Sequence, residues 1–199
     1  VAAILGNIGN CHKEMKNYDE AYNIYQKVLR IESLHFGLGH PEVIVTMHNI
    51  AMIEKCRGNF EEAISLYCEV LTLQRSRLGP THESVTVTSS CLADVYEISG
   101  DYESAIAAYK ETISLRCQAL NSSLHPDLGV LYHSCAMVHA KNQDIENAAS
   151  YLRKAMRLYE HNKINNEPYL NAQRDAADIH AKLALLPGKV NVISHKRSF

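Results

Sequence analysis

The side chains best equipped for chemistry in this chain of 199 residues are its 11 histidines and its six cysteines. Imidazole and thiolate groups bind zinc and similar metals, and a thiolate beside a base is a nucleophile. The spacing supports neither use. His133 and His139 are six residues apart, on different faces of a helix, and no His-Glu-x-x-His pattern occurs. Cys91 has no base next to it in the sequence. We therefore predict a protein that is not an enzyme and needs no metal ion or cofactor.

Three of the histidines recur at one position of a repeated segment. His40, His82 and His125 are separated by 42 and 43 residues and lie in the junctions between predicted helices. Such periodicity predicts a loop-capping or packing role rather than catalysis. His48 and His133 lie two repeats apart, which is too far for both to bind one metal ion.

The composition narrows the class of protein. The chain has 20 Lys and Arg against 22 Asp and Glu, so it lacks the positive charge that nucleic-acid binding requires. No window reaches the roughly 18–20 apolar residues that cross a bilayer, and Val1–Ile8 lacks the features of a signal peptide. The closest two cysteines are 12 residues apart, unlike a disulfide or zinc framework. We predict an intracellular, cytoplasmic protein with reduced, mostly buried thiols and no nucleic-acid partner or membrane insertion.

Comparison of the chain with itself reveals four copies of one motif. The copies are Tyr18-Asp19-Glu20-Ala21, Phe60-Glu61-Glu62-Ala63, Tyr102-Glu103-Ser104-Ala105 and Ile145-Glu146-Asn147-Ala148. Their alanines follow one another at steps of 42, 42 and 43 residues. Small residues precede these alanines by twelve positions, and large ones follow by four: Gly9, Ala51, Ala93 and Ala136, then Tyr25, Tyr67, Tyr109 and Leu152. Agreement at several offsets indicates an internal repeat.

Each copy has the pattern of two helices. The first carries apolar residues at helical spacing and ends near a glycine such as Gly58 or Gly100, which can adopt the left-handed conformation. The second opens with acidic residues and closes with arginine, as the helix dipole favours. Pro41, Pro126 and Pro168 fall where the next first helix should begin. Because one helix pair cannot bury its apolar face alone, neighbouring pairs must stack to form the core.

The motif small-x11-Ala-x3-Tyr resembles the tetratricopeptide repeat, and the 42-residue period resembles the kinesin-light-chain type of that repeat. The junction Leu38-Gly39-His40-Pro41-Glu42-Val43 supports the second resemblance. The resemblance implies an all-α fold, a right-handed superhelical solenoid of helix-turn-helix repeats. We expect repeats at about residues 1–37, 38–79, 80–122 and 123–165, a lone helix at 166–186 and a C-terminal tail at 187–199.

By the same resemblance, the first helices line a concave groove that accepts an extended peptide or a partner helix. The residues mapped to this groove are Asn7, Asn10, Lys13, His48, Asn49, Met52, Lys55, Ser90, Asp94, Glu97, His133 and Met137. In light-chain repeats the asparagines of these helices hydrogen-bond the main chain of a ligand, and Asn7 and Asn49 match that motif. Cys91 and Ser134 stand at the matching places of later repeats, so an asparagine ladder is confined to the first two. The alternative is that Asn7 and Asn49 bond only within or between repeats.

These observations predict a non-catalytic scaffold or adaptor that binds a protein or peptide partner in its groove. The alternative is a structural subunit that docks in a larger multi-subunit complex by its convex face, edges or tail. Capture of a C-terminal carboxylate, as in chaperone-type tetratricopeptide domains, is excluded because Gly6, Val87 and Cys91 replace the required cations. Met52 and Met137 fit an adaptable binding surface or the core between helices equally well.

Overall fold

The computed structural model describes residues 1–164 and 166–185 of the chain. These residues form no strand and nine α-helices: α1 Ala2–Glu14, α2 Tyr18–Phe36, α3 Pro41–Arg57, α4 Phe60–Leu78, α5 Glu83–Ser99, α6 Tyr102–Leu120, α7 Asp127–Lys141, α8 Ile145–His161 and α9 Glu167–Ala184. The all-α class expected from the sequence is therefore confirmed. None of these helices is both long enough and apolar enough to cross a membrane. The tail predicted at 187–199 lies outside the described residues.

The chain divides into two compact units, Val1–Ala108 and Tyr109–Phe199, and the division falls within α6. In the first unit each helix from α1 to α4 packs against its successor, and α3 also touches α5. In the second unit α7 packs against α8, α8 packs against α9, and α7 also touches α9. First helices of neighbouring repeats therefore meet directly at α3 and α5 and again at α7 and α9.

Glycines and histidines set the ends of the helices. Gly58 (φ 83°) and Gly100 (φ 89°) are left-handed C-caps of α3 and α5, as the sequence predicted. The Nδ1 atoms of His40, His82 and His125 each accept a hydrogen bond from the backbone N–H two residues on, at 3.2–3.3 Å. The loop-capping role predicted for these three histidines is confirmed.

The core follows the repeated small and aromatic positions. Gly9 of α1 lies so close to Tyr25 that an added Cβ would be 3.1 Å from the ring. Tyr25 is 1% exposed and packs with Ala21 of its own helix and with Ile50 and Ile53 of α3. In the second unit, the residues at the repeated positions also share one cluster: Ala136, Ala148 and Leu152. The repeated small residues thus give the close helix approach that the spacing predicted.

The cysteines differ from the expectation of mostly buried thiols. All six are free, and their exposure varies: Cys11, Cys56 and Cys68 are exposed, Cys91 and Cys117 are half-buried, and Cys135 is buried. Cys68 follows the fully buried Tyr67 by one position, and the step of about 100° between helical neighbours turns it to the outer face of α4. The prediction was wrong because a small apolar residue carries no signal of its own about which face it occupies.

Candidate functional site

The predicted groove residues project from one face of the first helices. On α3, His48, Asn49, Met52 and Lys55 are spaced so that a helix places them on one side. All four are half-buried, whereas Ile50 between them is fully buried against α2. Ten of the twelve predicted residues belong to the first unit, on α1, α3 and α5, and the other two lie on α7 of the second unit.

The three asparagines of the predicted set have different environments. The hydroxyl of Tyr25 donates a hydrogen bond to Oδ1 of Asn10 at 2.7 Å, so Asn10 helps to join α1 to α2. Asn7 is exposed and Asn49 is half-buried. Within the described residues neither Asn7 nor Asn49 has a hydrogen-bonded side chain. These two amides keep both their donors and their acceptors available.

His48 and Lys55 join α3 to α5. Nδ1 of His48 lies 3.2 Å from Oγ1 of Thr88, and the edge of its ring meets the ring of Tyr67 at 5.3 Å between centroids. Burial lowers the pKa of His48, and the charges of nearby lysines lower it further, so the ring is neutral at pH 7. The ammonium of Lys55 lies 4.0 Å from a carboxylate oxygen of Asp94. Three of the predicted groove residues therefore also hold neighbouring repeats together.

The other predicted residues of the first unit make short-range contacts. Lys13 pairs with Glu14 at 3.5 Å, and the hydroxyl of Ser90 donates to the carbonyl of Thr86 one turn back. Glu97 is half-buried on α5. Burial raises the pKa of the Cys91 thiol, which disfavours the thiolate that a nucleophile would need.

The two predicted residues of the second unit, His133 and Met137, both contact other residues of that unit. Nε2 of His133 lies 2.7 Å from a carboxylate oxygen of Asp175, so this pair joins α7 to α9. Met137 is half-buried and packs against the cluster that contains Ala136 and Leu152. For Met137 the structure therefore favours the core alternative.

A cavity of about 310 Å³ opens beside His48, at a place that the sequence analysis did not single out. Its lining residues are Val45, His48, Gln74, His82, Glu83, Ser84, Val87 and Thr88. Val45 and Val87 occupy the same repeat position, 42 residues apart, and are 57% and 50% exposed. A branched apolar side chain repeated on a solvent-facing position was the available signal, and sequence reasoning missed it.

A larger cavity of about 530 Å³ lies at the turn between α1 and α2 and is polar. Arg57 on its wall is paired with Asp19 at 3.0 Å and with Glu54 at 2.9 Å, and its guanidinium stacks over Tyr22. The charge of Arg57 on this wall is therefore already neutralised by carboxylates of the same chain. Among the described residues no group of three or more His, Cys, Asp and Glu side chains is placed to hold a metal ion.

The buried histidines predict a stability that depends on pH. Burial lowers the pKa of His48 and also that of His139, which is 3% exposed and lies 3.1 Å from Asp144. At these two sites the native state therefore binds fewer protons than the unfolded chain, in which a histidine titrates at about pH 6.5. The contribution of these two histidines to the free energy of unfolding is fully present above about pH 6.5 and is lost as the pH falls below that value. We expect the thermal midpoint, followed by circular dichroism, to decrease from about pH 7.5 to about pH 5.5.

Substitution of the two histidines tests the origin of this slope. His48→Gln with His139→Gln should flatten the dependence of the midpoint on pH, because neither amide side chain titrates. His180→Gln, at an exposed position of α9, is the matched control and should leave the slope unchanged. An unaltered slope in the double variant would contradict the assignment. The window stays above the range of Asp101 and Asp144, whose pKa values are lowered by hydrogen bonds.

The chain resembles known proteins in sequence and in fold. A family model described as the tetratricopeptide repeat matches residues 1–76 and 83–161. Two crystal structures of nearly identical TPR-like repeats ascribed to a kinesin light chain of Podosopora anserina are similar. One of them, a point variant, has a TM-score of 0.78 and 18% identity, and the other has 0.77 and 19%. Each match covers 92% of this chain and 86% of the other.

A third similar structure is BtubC (BKLC) from P. vanneervenii, with a TM-score of 0.75 and 20% identity. That match covers 83% of this chain and 65% of the other. At these identities the similarity shows a shared fold. No curated protein matches the sequence.

Proposed function

This chain belongs to the tetratricopeptide repeat family, and we propose that it is a non-catalytic scaffold that binds a segment of a partner protein along its first helices. Repeats of this family typically serve protein–protein interactions. The finer proposal is that the partner presents an extended peptide or a helix to the face that carries Asn7 and Asn49. The similarity to light-chain repeats supports the fold of such a groove.

The observation that carries the proposal is the state of the asparagine amides. Asn7 and Asn49 occupy the same repeat position, and their side chains form no hydrogen bond within the described residues. The side chain of the nearby Asn10, by contrast, already accepts a hydrogen bond from the hydroxyl of Tyr25. A primary amide offers two donors and one acceptor, which matches the alternating N–H and C=O groups of an extended peptide. Two such amides on successive first helices would fix the register of a bound segment.

A different exposed feature favours the alternative of docking by another surface. Leu34, near the end of α2, is 81% exposed, and Leu38 in the following junction is 63% exposed. Serine and glutamine stand at the positions 42 and 84 residues after Leu34, so this apolar side chain is not required by the repeat. A structural subunit could use this edge of the first unit instead of the groove.

Peptides selected from a displayed random library against the 199-residue chain provide the test. We expect Asn7→Ala with Asn49→Ala to weaken the binding of such peptides about tenfold, because two hydrogen bonds of about 0.5–1.5 kcal/mol each are lost. Fluorescence anisotropy of a labelled peptide measures the Kd. Asn23→Ala, on the exposed face of α2, is the matched control and should leave the affinity unchanged.

The same titration separates the two functions. Full affinity in the double asparagine variant, together with loss of binding in Leu34→Lys, would reject the groove and support docking by the α2 edge. Circular dichroism of each variant establishes that the fold is retained before affinities are compared.

A further inference from the structure

The cavity beside His48 lies at a place where the hydrogen-bond partner differs between two equivalent positions of the repeat. At the first place, the hydroxyl of Thr46 on α3 donates to a carboxylate oxygen of Glu32 on α2 at 2.7 Å. The residues 42 positions later are Thr88 on α5 and Gln74 on α4. Thr88 is bonded to His48 instead, at 3.2 Å.

This exchange leaves the carbonyl oxygen of Gln74 without a donor. Gln74 is 7% exposed, and its Oε1 is buried and has no hydrogen-bond partner in the described residues. Gln74 lines the cavity of about 310 Å³ and also an adjoining one of about 110 Å³. A buried acceptor without a donor is unfavourable. Because Oε1 itself is buried, the Gln74 side chain must rotate to present this atom to an N–H or O–H group in the cavity.

The walls of the cavity suit an alkyl chain. Val45 of α3 and Val87 of α5 present half-exposed apolar side chains to it. Its volume lies at the lower end of the range for ligand-binding pockets, which is about 300–1,000 Å³. One long side chain of a partner is therefore a more suitable occupant than a helix.

Among the described residues that line the cavity there is no Lys or Arg, and the one carboxylate is that of Glu83. His48 is neutral at pH 7, since burial and the charges of nearby lysines lower its pKa. Nδ1 of His82 already accepts a hydrogen bond from the backbone N–H of Ser84. Glu83 carries a carboxylate at the exposed rim and forms no ion pair with any described residue. A bound group that brings donors and positive charge would complement this set.

We infer that this cavity binds a basic side chain, arginine or lysine, of the partner segment. Its methylene groups lie between Val45 and Val87, and its charged N–H group donates to Oε1 of Gln74 and to the carboxylate of Glu83. The inference rests on the proposed function for the presence of a partner segment. The cavity itself is testable without one.

The probe is Nα-acetyl-arginine methylamide, titrated into the isotope-labelled 199-residue chain and followed by nuclear magnetic resonance. We expect saturable shifts of the Val45 and Val87 methyl signals and of the Gln74 side-chain amide. The norleucine analogue has a similar alkyl chain but no charge, and it should bind at least about tenfold more weakly because charge-assisted hydrogen bonds are lost.

Two substitutions locate the effect. Glu83→Gln should weaken binding of the arginine probe about twofold to fivefold, as expected for one partly exposed ion pair. Glu42→Gln removes the same charge from the first turn of α3, outside the cavity, and should have no effect. Gln74→Leu should reduce the selectivity for arginine over norleucine, and the ion pair with Glu83 should account for what remains. Glu83→Gln keeps the test valid if Gln74→Leu fails to fold.

Equal binding of the arginine and norleucine probes, no saturable shift with either, or an unchanged affinity in Glu83→Gln would each overturn the inference. The asparagine double variant should still bind the arginine probe. If that variant keeps full affinity for selected peptides while the cavity binds arginine, the groove proposal fails and this inference stands. If peptides require the asparagines but the cavity binds no arginine, this inference alone fails.

Discussion

Truncation of Tyr67 to alanine is expected to lower the free energy of unfolding by about 3–5 kcal/mol, the range for removal of a buried aromatic side chain. Tyr67 is 0% exposed and lies where α4 meets two first helices. His48 of α3 contacts its ring edge-on, and the thiol of Cys91 on α5 lies beside its hydroxyl. Its loss would leave a cavity between two repeats as well as within one. Urea unfolding followed by far-ultraviolet circular dichroism measures the change.

Two control substitutions identify the cause as lost packing. Tyr67→Phe should cost at most about 1 kcal/mol, since the buried hydroxyl has no hydrogen-bond partner among the described residues. Burial raises the pKa of Tyr67, so the hydroxyl is neutral throughout the experiment. Tyr22→Ala removes the same ring from a half-buried position and should cost less. If Tyr67→Phe were as destabilising as Tyr67→Ala, the polar contact and not the ring would be the source of stability.

The junction histidines show what the sequence determines. His40, His82 and His125 recur with the repeat, and each accepts a hydrogen bond from the N–H two residues on. That contact is local, so position within the repeat is sufficient to predict it. The left-handed caps at Gly58 and Gly100 are predictable for the same reason.

The hydrogen bonds between helices were less predictable, because a polar side chain at a given repeat position can have different partners within reach in different repeats. The sequence mapped Asn10 to the groove with Asn7, but in the structure Oδ1 of Asn10 accepts a hydrogen bond from the hydroxyl of Tyr25. Thr88 has the same residue type and repeat position as Thr46, yet it is bonded to a histidine that the earlier repeat lacks. A repeat alignment specifies the position of a side chain and leaves its partner open. The prediction of a binding groove therefore stays a prediction at the level of single residues.

The second large effect concerns the contact between Gly129 of α7 and Tyr159 of α8. A Cβ added at Gly129 would lie 2.5 Å from Cε1 and 2.8 Å from Cζ of the Tyr159 ring, closer than packed atoms can approach. Tyr159 is 2% exposed and packs against Ala155, Ala172 and Tyr169, so the ring has little room to move. Gly129→Ala is expected to destabilise the protein by about 1–3 kcal/mol through overpacking.

Repeat positions explain why this glycine is needed. The residues equivalent to Gly129 in the first unit are Ile44 and Thr86, and those equivalent to Tyr159 are Glu32 and Gln74. In the fourth repeat, therefore, α7 has a glycine at the position that faces the aromatic ring of Tyr159 on α8. The double variant Gly129→Ile with Tyr159→Gln introduces the pair that the second repeat has at these positions, Ile44 and Gln74. It should lose less stability than the sum of the two single changes, with a coupling of about 1 kcal/mol or more between the contacting pair.

Gly6→Ala is the matched control for the effect of glycine itself. Gly6 lies in α1, and a Cβ added there meets no atom within 4 Å. Alanine is the better helix former by about 0.8–1.0 kcal/mol, so Gly6→Ala should be neutral or stabilising while Gly129→Ala is destabilising. The opposite signs separate overpacking from helix propensity in one pair of urea titrations. A stabilising Gly129→Ala would mean that the Tyr159 ring moves aside at little cost, and that the contact between α7 and α8 is less tightly packed than the distances indicate.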